Sequence, residues 1–313
     1  MILVTGANGF IGKALIDYAK SFGHEVRGTV RTLSLASKQS ELVYVPSLDK
    51  NTDWSDALRS CKTVIHLAAK AHSNYGRKSN ELAVFMEHNC EATLNLIRQA
   101  EKAGVKKFIF LSSTGVMGPQ VTYGVPYDLD TLPNPHDSYT KSKLCAEQGL
   151  LELSNELAVE LIILRVPLVY GPNAPGSIGS LIKAIKLGIP LPFGGLFNRR
   201  HLISIDNLVE LVVSCISSSA SAEEIFIASD NEAISTSDLC YLCGYFAGKR
   251  PRLIKMSPKL IMFIARLLGK QKKVSTLVND FELESNKTNS YFKWSPGYSP
   301  HKHVRDIKNN ISS

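Results

Sequence analysis

The sequence has no uninterrupted apolar run that approaches the roughly 18 residues of a membrane-spanning helix. Met1 stands directly before an apolar, β-branched stretch, which leaves no room for the charged and apolar regions of a secretory signal. Internal repeats and low-complexity tracts are also absent. With 44% hydrophobic residues and 20% charged residues in 313 positions, the composition is that of a globular protein with one large or two modest domains. We therefore expect a cytoplasmic protein.

Cysteine is sparse, and a chain of this size does not need disulfide bonds to build a stable core. Of the six cysteines, Cys240 and Cys243 form a single C-x-x-C pair that lacks a second pair of zinc ligands. We expect neither a metal site nor a disulfide framework. The formal net charge is +8, but the lysines are scattered and no basic stripe with interleaved aromatics is present. The charge pattern therefore favours an anionic small substrate over nucleic acid.

The first half of the chain alternates between β-branched runs and helical patterns. Strands are predicted at ILVTG, EVRGTV, LVYVP, TVIHLAA, KFIFLSS and LIILRVPLVYG, and helices at 11–22, 89–103 and 138–156. Strands separated by helices indicate an α/β fold with a doubly wound parallel sheet, similar to the Rossmann fold. We place this domain at 1–171 and a smaller, mixed, mainly substrate-binding region at 172–313. A segment near 201–216 is expected to return to the first domain.

The chain opens with MILVTGANGFIG, a strand followed by glycines at positions 6, 9 and 12. Without Cβ atoms, the backbone N–H groups of such a turn can approach an anion at the N-terminus of the following helix. The pattern predicts binding of a dinucleotide pyrophosphate, with a plain strand-turn-helix as the alternative, because glycine spacing alone is a weak signal.

The second strand ends without the acidic residue that usually binds the ribose 2′-hydroxyl of NAD. Val30, Arg31 and Thr32 stand there instead. Arginine suits a 2′-phosphate and slightly favours NADP over NAD, although Arg31 stacked on the adenine of either cofactor explains the residue nearly as well.

Tyr139 and Lys143 are four residues apart and therefore share one face of a helix. A lysine cation roughly 5 Å away is worth about 3 kcal/mol at an effective dielectric near 20, or about 2 pK units. We expect Lys143, together with a nicotinamide cation, to make Tyr139 a usable proton acceptor. A Y-x-x-x-K spacing also occurs on ordinary surface helices. Here a strand ending in Ser112, Ser113 and Thr114 precedes it and places hydroxyl groups at the carboxyl edge of the sheet.

With these motifs in this order, the chain resembles the extended short-chain dehydrogenase/reductases, specifically the NAD(P)-dependent epimerase/dehydratase family that acts on nucleotide sugars. The likeness covers nearly the whole length. It includes TGANGFIG, HLAA after the fourth strand, SYTKSK, RVPLVYGP and NRRHLISIDNL. A homodimer would be consistent with this family.

The resemblance implies a role for specific residues. It implies that Tyr139 is the catalytic base, that Lys143 also binds the nicotinamide ribose, and that Ser113 hydrogen-bonds the reacting oxygen. The residues that it implies for cofactor binding, beyond Tyr139 and Lys143, are Gly6, Asn8, Gly9, Phe10, Ile11, Gly12, Arg31, Ala68, Ala69, Asn89 and Pro167. Those for substrate binding are Thr114, Asn173 and Arg200, with Arg200 neutralising the substrate diphosphate. The alternative for Arg200 is a surface arginine in a basic run.

Two departures from the family pattern narrow the expected activity. Thr114 and Gly115 follow Ser113 where the 4,6-dehydratases carry an Asp-Glu pair, so we do not expect dehydration. Leu168 replaces an asparagine that many sugar epimerases use to contact the sugar. The stretches RVPLVYGP, GIPLPFG and NRRHLISIDNL resemble the branch with bacterial UDP-glucose 4-epimerase-like proteins and UDP-N-acetylquinovosamine-forming 4-ketoreductases of surface-polysaccharide pathways. The sequence leaves both activities open. A non-catalytic NAD(P)-binding regulator or scaffold is the alternative, which the retained Ser113, Tyr139 and Lys143 disfavour.

The stretch SPKLIMFIARLLGKQKK from Ser257 places lysine and arginine beside an apolar face, as interfacial helices do. A buried helix with a solvated end explains the same pattern. We expect the buried helix and no membrane contact.

Overall fold

The computed structural model describes residues 1–37, 40–71, 80–119, 124–218 and 224–310. Its strands are β1 (Ile2–Thr5), β2 (Val26–Val30), β3 (Leu42–Tyr44), β4 (Thr63–His66), β5 (Lys107–Ser113), β6 (Glu160–Val166), β7 (Val169–Tyr170), β8 (Arg200–His201), β9 (Ile203–Ser204), β10 (Glu224–Ile227) and β11 (Ala233–Ile234). Its helices are α1 (Phe10–Ser21), α2 (Leu33–Ala36), α3 (Ser55–Leu58), α4 (Glu81–Met86), α5 (Ala92–Lys102), α6 (Ser138–Ser154), α7 (Gly176–Lys186), α8 (Ile205–Ser217), α9 (Thr236–Ala247), α10 (Pro258–Leu267), α11 (Gln271–Val278), α12 (Asn286–Phe292) and α13 (Pro300–Asn310).

Seven parallel strands form the central sheet in the order β10-β6-β5-β4-β1-β2-β3. The chain begins at β1, adds β2 and β3 on one side, and then crosses to β4 on the other. The order therefore reverses between β1 and β4, and the carboxyl ends of these strands form the crevice in which open α/β folds bind ligands. The predicted doubly wound, Rossmann-like fold is confirmed.

Apolar side chains cover both faces of this sheet. On one face, α1 and α8 pack on β1 and β6 through residues such as Leu15, Ile16 and Leu208. On the other face, α5 and α6 pack on β4 and β5 through Leu96 and Leu150. The segment near 201–216 is expected to return to the first domain, and the packing of its helix α8 on α1 is a contact of that kind. The division of the chain at residue 171 stays a prediction.

A third apolar cluster lies in the C-terminal half, among α7, α9, α10, α11 and α13. Cys240 and Cys243 are fully buried in it, and burial raises the pKa of both thiols, that of Cys243 to about 12. Within the described residues, no group of three or more His, Cys, Asp or Glu side chains is arranged to hold a metal ion. These two cysteines therefore serve as core residues.

Two predicted elements differ from those observed. The strand expected over 161–171 ends at Val166, and β7 then pairs with β9, because Pro167 has no N–H group with which to continue the ladder. The helix expected over 89–103 starts earlier, with α4 followed by a π-helical turn at Glu87–Glu91 and then by α5. A π turn inside a helix is common at functional sites.

The expectation that the cysteines form no disulfide is wrong for one pair. Cys90, in the π-helical turn, is bonded to Cys145 of α6, with their Cα atoms 5.8 Å apart. The two residues are separated by 55 positions. Only the packing of the π-helical turn against α6 brings them together, so their spacing in the sequence gave no sign of the bond.

Candidate active site

The glycine turn connects β1 to α1 at the crevice. Gly6 has φ = +71°, which glycine adopts without strain, and a Cβ atom on it would lie 3.2 Å from the backbone of Ala68. A Cβ atom on Gly12 would overlap the carbonyl oxygen of Gly6 and lie 3.0 Å from the Cα atom of Ala7. The turn is therefore closed around its own backbone, and two of its three glycines are required sterically.

The same turn lines a cavity of about 850 Å³. Gly9 is the N-cap of α1 and offers no side chain to the first-turn N–H groups, so the positive end of the helix dipole faces the cavity. Gly6, Phe10, Ile11 and Gly12 also line it. This arrangement fits a dinucleotide pyrophosphate.

The loop after β4 is held against the turn by buried hydrogen bonds. The hydroxyl oxygen of Thr5 accepts from the N–H groups of Leu67 and Ala68, at 3.1 Å each, so its own proton is directed to Nδ1 of His66, 2.8 Å away. Nε2 of His66 lies 3.0 Å from the hydroxyl of Thr93, which donates to a backbone carbonyl. Burial lowers the pKa of His66 to about 3, and the ring is neutral. The network fixes the position of the loop that carries Ala69 into the cavity.

Asn89, which the family resemblance implies for cofactor binding, is not among the residues that line the cavity. Its side chain is buried and accepts from the N–H of Lys70 at 2.8 Å. It donates to the carbonyl of Lys70 and to the hydroxyl of Ser142, both at 3.0 Å. These bonds satisfy the amide, and through them Asn89 joins the loop after β4 to α6.

Ser113, Tyr139 and Lys143 lie together on the cavity wall. Ser113 ends β5, and its hydroxyl accepts from the N–H of Gly115 at 3.1 Å. Tyr139 and Lys143 stand one turn apart on α6, whose N-terminus is capped by Asp137 through its bond to the N–H of Thr140. The predicted neighbourhood of the three side chains is thus present.

The proton affinities of Tyr139 and Lys143 differ from the sequence-based expectation. Burial, with a smaller contribution from Asp137, raises the pKa of Tyr139 to about 12. Burial also lowers the pKa of Lys143 to about 7, which the Glu147 carboxylate partly opposes. The expectation considered the attraction of Tyr139 to Lys143 and to a bound nicotinamide cation, and it left out the cost of desolvating the two side chains. In the protein alone, desolvation is the larger effect.

Glu147 stands one turn beyond Lys143 and forms a buried ion pair with Arg165 of β6. Nη2 of Arg165 lies 2.8 Å from one carboxylate oxygen, and Nε lies 3.2 Å from the other. The two side chains are 1% and 4% exposed. The ammonium group of Lys143 is also 3.9 Å from the ring centre of Phe110 on β5. These contacts hold α6 and its Lys143 against the sheet.

Arg200 lines the same cavity and is supplied by the C-terminal half of the chain. It is 8% exposed, and its Nη1 donates to the carbonyl of Asn279 at 2.6 Å. Its Nε is buried and has no hydrogen-bond partner among the described residues. Burial lowers the pKa of the guanidinium only to about 10, so it stays charged. A buried cation with an unsatisfied donor fits an anionic ligand, and the alternative of a surface arginine is wrong.

Some of the remaining predicted residues line the cavity and others do not. Ala69, Thr114 and Pro167 line the cavity. Asn8, Arg31, Ala68, Asn89 and Asn173 are not among its lining residues. Arg31 is exposed directly after β2, and Asn173 is exposed with φ = +62°, a left-handed conformation that asparagine tolerates in a turn. The neighbouring Pro175, Gly176 and Ser177 line the cavity instead.

A C-terminal segment that the sequence analysis did not identify completes the cavity. Its lining residues are Ser275, Thr276, Asn279, Asp280 and Phe281. Backbone bonds bring them to the site: the N–H of His201 donates to the carbonyl of Phe281, and the N–H of Phe281 donates to the carbonyl of Arg199. No local motif marks this segment, because its position depends on pairing with residues 80 positions earlier.

Residues 2–228 match the model of the NAD dependent epimerase/dehydratase family. The chain belongs to this family. A UDP-glucose 4-epimerase of Vibrio cholerae is 32% identical over 298 residues, which span 94% of this chain and 90% of that protein.

A second curated relative and a solved structure are more distant from this chain. An Escherichia coli O157:H7 protein named N-acetyl-alpha-D-glucosaminyl-diphospho-ditrans,octacis-undecaprenol 4-epimerase is 27% identical over 247 residues, with coverage of 76% of this chain and 70% of that one. The crystal structure of UDP-glucuronic acid 4-epimerase from Bacillus cereus in complex with NAD has a TM-score of 0.74 at 22% identity and covers 97% of this chain and 93% of that one. This last likeness shows that the fold is shared.

Proposed function

We propose that the chain is an NAD-dependent 4-epimerase of nucleotide-diphosphate sugars, with a UDP-hexose or UDP-N-acetylhexosamine as substrate, in bacterial surface-polysaccharide precursor synthesis. One observation carries the proposal: a single cavity contains the glycine turn, the group of Ser113, Tyr139 and Lys143, and the buried cation Arg200. The activity named for the Vibrio cholerae relative, which aligns over nearly the whole chain, supports this substrate class.

Each side chain has a distinct part in this reaction. When bound at the glycine turn, NAD supplies a hydride acceptor and donor for C4 of the sugar. Tyr139 takes the proton of the C4 hydroxyl and returns it, while Ser113 hydrogen-bonds the same oxygen. Lys143, in its charged form, stabilises the tyrosinate. Arg200 binds the substrate diphosphate through charge-assisted hydrogen bonds.

A 4-keto-sugar reductase is the second candidate function, and Arg31 is the observation that favours it. Arg31 follows β2 directly, where an arginine suits the 2′-phosphate of NADP. A reductase consumes one reduced cofactor per turnover, whereas an epimerase regenerates its cofactor in every cycle. Dehydration is not proposed, because Thr114 and Gly115 stand where dehydratases carry acidic residues.

Product analysis separates these activities. The purified protein would be incubated with UDP-glucose, UDP-N-acetylglucosamine, the undecaprenyl-linked sugar or a UDP-4-keto sugar, with NAD or NADPH. Chromatography with mass spectrometry should show an isomer of unchanged mass and no net consumption of cofactor. Stoichiometric loss of NADPH with a product two hydrogens heavier would establish the reductase instead.

Replacement of the proposed base tests whether the chain is catalytic at all. Tyr139→Phe should lower turnover by about 10²-fold or more with cofactor binding intact, because the proton acceptor is removed and the ring is kept. Tyr245→Phe, at a residue that is 62% exposed, is the matched control and should leave turnover unchanged. Near-normal turnover of Tyr139→Phe would rule out this mechanism, and cofactor binding without turnover of any sugar would favour a regulator or scaffold.

A further inference from the structure

Basic residues are concentrated in one segment of the C-terminal half and are less scattered than the sequence analysis assumed. Positions 239–279 contain nine lysines and arginines and no aspartate or glutamate. The formal charge of this segment exceeds the +8 of the whole chain, so the rest of the protein is close to neutral. The segment includes α10 and α11.

The inner face of α10 is packed as the sequence analysis expects of a buried helix. Ile261 and Ala265, one turn apart, are each 4% exposed. Ile261 belongs to the C-terminal core. Ser257 caps the helix at its N-terminus, and Pro258 occupies its first turn. The helix is therefore anchored in the fold by this face.

The outer face of α10 is apolar as well, but it is exposed. Its residues recur at spacings of three and four and thus form one stripe: Leu260 (47% exposed), Phe263 (59%), Ile264 (38%) and Leu267 (72%). Leu268, 64% exposed, extends it. Single exposed apolar residues are common on protein surfaces, but a contiguous exposed apolar stripe is not. The expectation of a buried helix is therefore wrong for this face.

Cations flank the apolar stripe. Lys259 and Arg266 are seven residues apart, lie on the same side of α10 and are both exposed. Lys255 before the helix and Lys270 after it are exposed too. Apolar side chains bordered by lysine and arginine are the pattern of helices that lie in the interface of an anionic membrane. None of the described helices is long and apolar enough to cross one.

We propose that the outer face of α10 docks this protein on an anionic lipid surface. Leu260, Phe263 and Leu267 enter the boundary between headgroups and acyl chains, and the neighbouring lysines and arginines attract the lipid phosphates. Charge complementarity selects this occupant over a second copy of the chain, since two such faces would bring their cations together.

The docking face is close to the cavity in the fold. α10 and α11 pack against each other, and Ser275 and Thr276 of α11 line the cavity. A bilayer bound to α10 would therefore adjoin the helix pair that carries part of the cavity wall. The proposal does not depend on the proposed 4-epimerase activity, because its test measures binding to vesicles.

The test is flotation of the full-length protein with vesicles at low and high salt. We expect binding to phosphatidylcholine vesicles that contain phosphatidylglycerol, much weaker binding to phosphatidylcholine alone, and release by salt. Phe263→Ser and Leu267→Ser, each as a single variant, should abolish flotation. Lys259→Glu and Arg266→Glu, also as single variants, should each lower vesicle affinity by about fivefold or more.

Matched variants exclude effects on folding. Phe22→Ser, at a residue that is 63% exposed after α1, and Lys50→Glu, at an exposed lysine, should bind vesicles like the unchanged protein. All variants should keep their thermal unfolding midpoint, since each side chain is exposed. No flotation of the unchanged protein, or equal flotation of Leu267→Ser, would overturn the proposal. The proposal would also be overturned if the protein bound no vesicles but self-associated, and if Phe263→Ser abolished this self-association. The face would then be assigned to a second copy of the chain.

Discussion

The buried pair of Glu147 and Arg165 offers a sharp test of how α6 is held against the sheet. Glu147→Ala removes the carboxylate and leaves the guanidinium of Arg165 buried with its Nε and Nη2 donors unpaired. Breaking a buried pair in this way costs about 3–5 kcal/mol, because the remaining charge is desolvated without compensation. Both side chains are almost completely inaccessible, 1% and 4% exposed, so water cannot replace the lost partner.

Urea unfolding at neutral pH, followed by circular dichroism, measures this cost. The control is Asp56→Ala, which breaks an Arg59 pair of similar length whose side chains are 74% and 82% exposed, and which should cost no more than about 0.5 kcal/mol. Glu147→Met combined with Arg165→Met should recover most of the stability lost in Glu147→Ala, since an apolar pair carries no desolvated charge.

A cost below about 1 kcal/mol for Glu147→Ala would refute the argument, since it would mean that the charge of Arg165 finds water or another partner. A functional readout accompanies the measurement. The Glu147 carboxylate raises the pKa of Lys143, so Glu147→Gln should lower that pKa below about 7. If charged Lys143 supports the reaction, the alkaline decline of kcat should then move to lower pH.

Three further predictions follow from single residues. Below pH 6.5 the His66 side chain binds a proton in the unfolded state but stays neutral in the folded state, where it is buried. The free energy of unfolding should therefore fall by about 2 kcal/mol between pH 6.5 and 5. Urea titrations should show a smaller fall in His66→Asn, and an identical fall would contradict the assignment. Arg200→Ala should raise the KM for a nucleotide sugar by about 30-fold, roughly 2 kcal/mol, with cofactor affinity unchanged. Arg199→Ala, at a side chain that is 56% exposed, should have little effect on the KM. The reverse result would assign the diphosphate to Arg199. If Arg31 binds a 2′-phosphate, NADPH should bind at least ~10-fold tighter than NADH and Arg31→Ala should erase the difference, whereas equal or better binding of NADH by the unchanged protein would favour NAD.

Local patterns determined the elements that build the nucleotide-binding end. Glycines at 6, 9 and 12 between a β-branched strand and a helix predicted a turn that the structure contains, because the steric limits on its backbone act within a few residues. The four-residue spacing of Tyr139 and Lys143 predicted their common face, since helical geometry is set by the neighbouring residues. The alternation of strands and helices likewise predicted the parallel sheet.

Tertiary structure decided what depends on distant parts of the chain. Residues 275–281 reach the cavity through backbone pairing with Arg199 and His201, and no signal in their own sequence marks them. The packing of α6 against the π-helical turn brings Cys90 to Cys145, and it brings the side-chain amide of Asn89 within hydrogen-bonding distance of Ser142. Burial and exposure are sums over all neighbours in space: they set the pKa values of Tyr139 and Lys143, and they leave the outer face of α10 uncovered. A sequence pattern reports which side chains share a face, but the environment of that face is decided by the elements that fold against it.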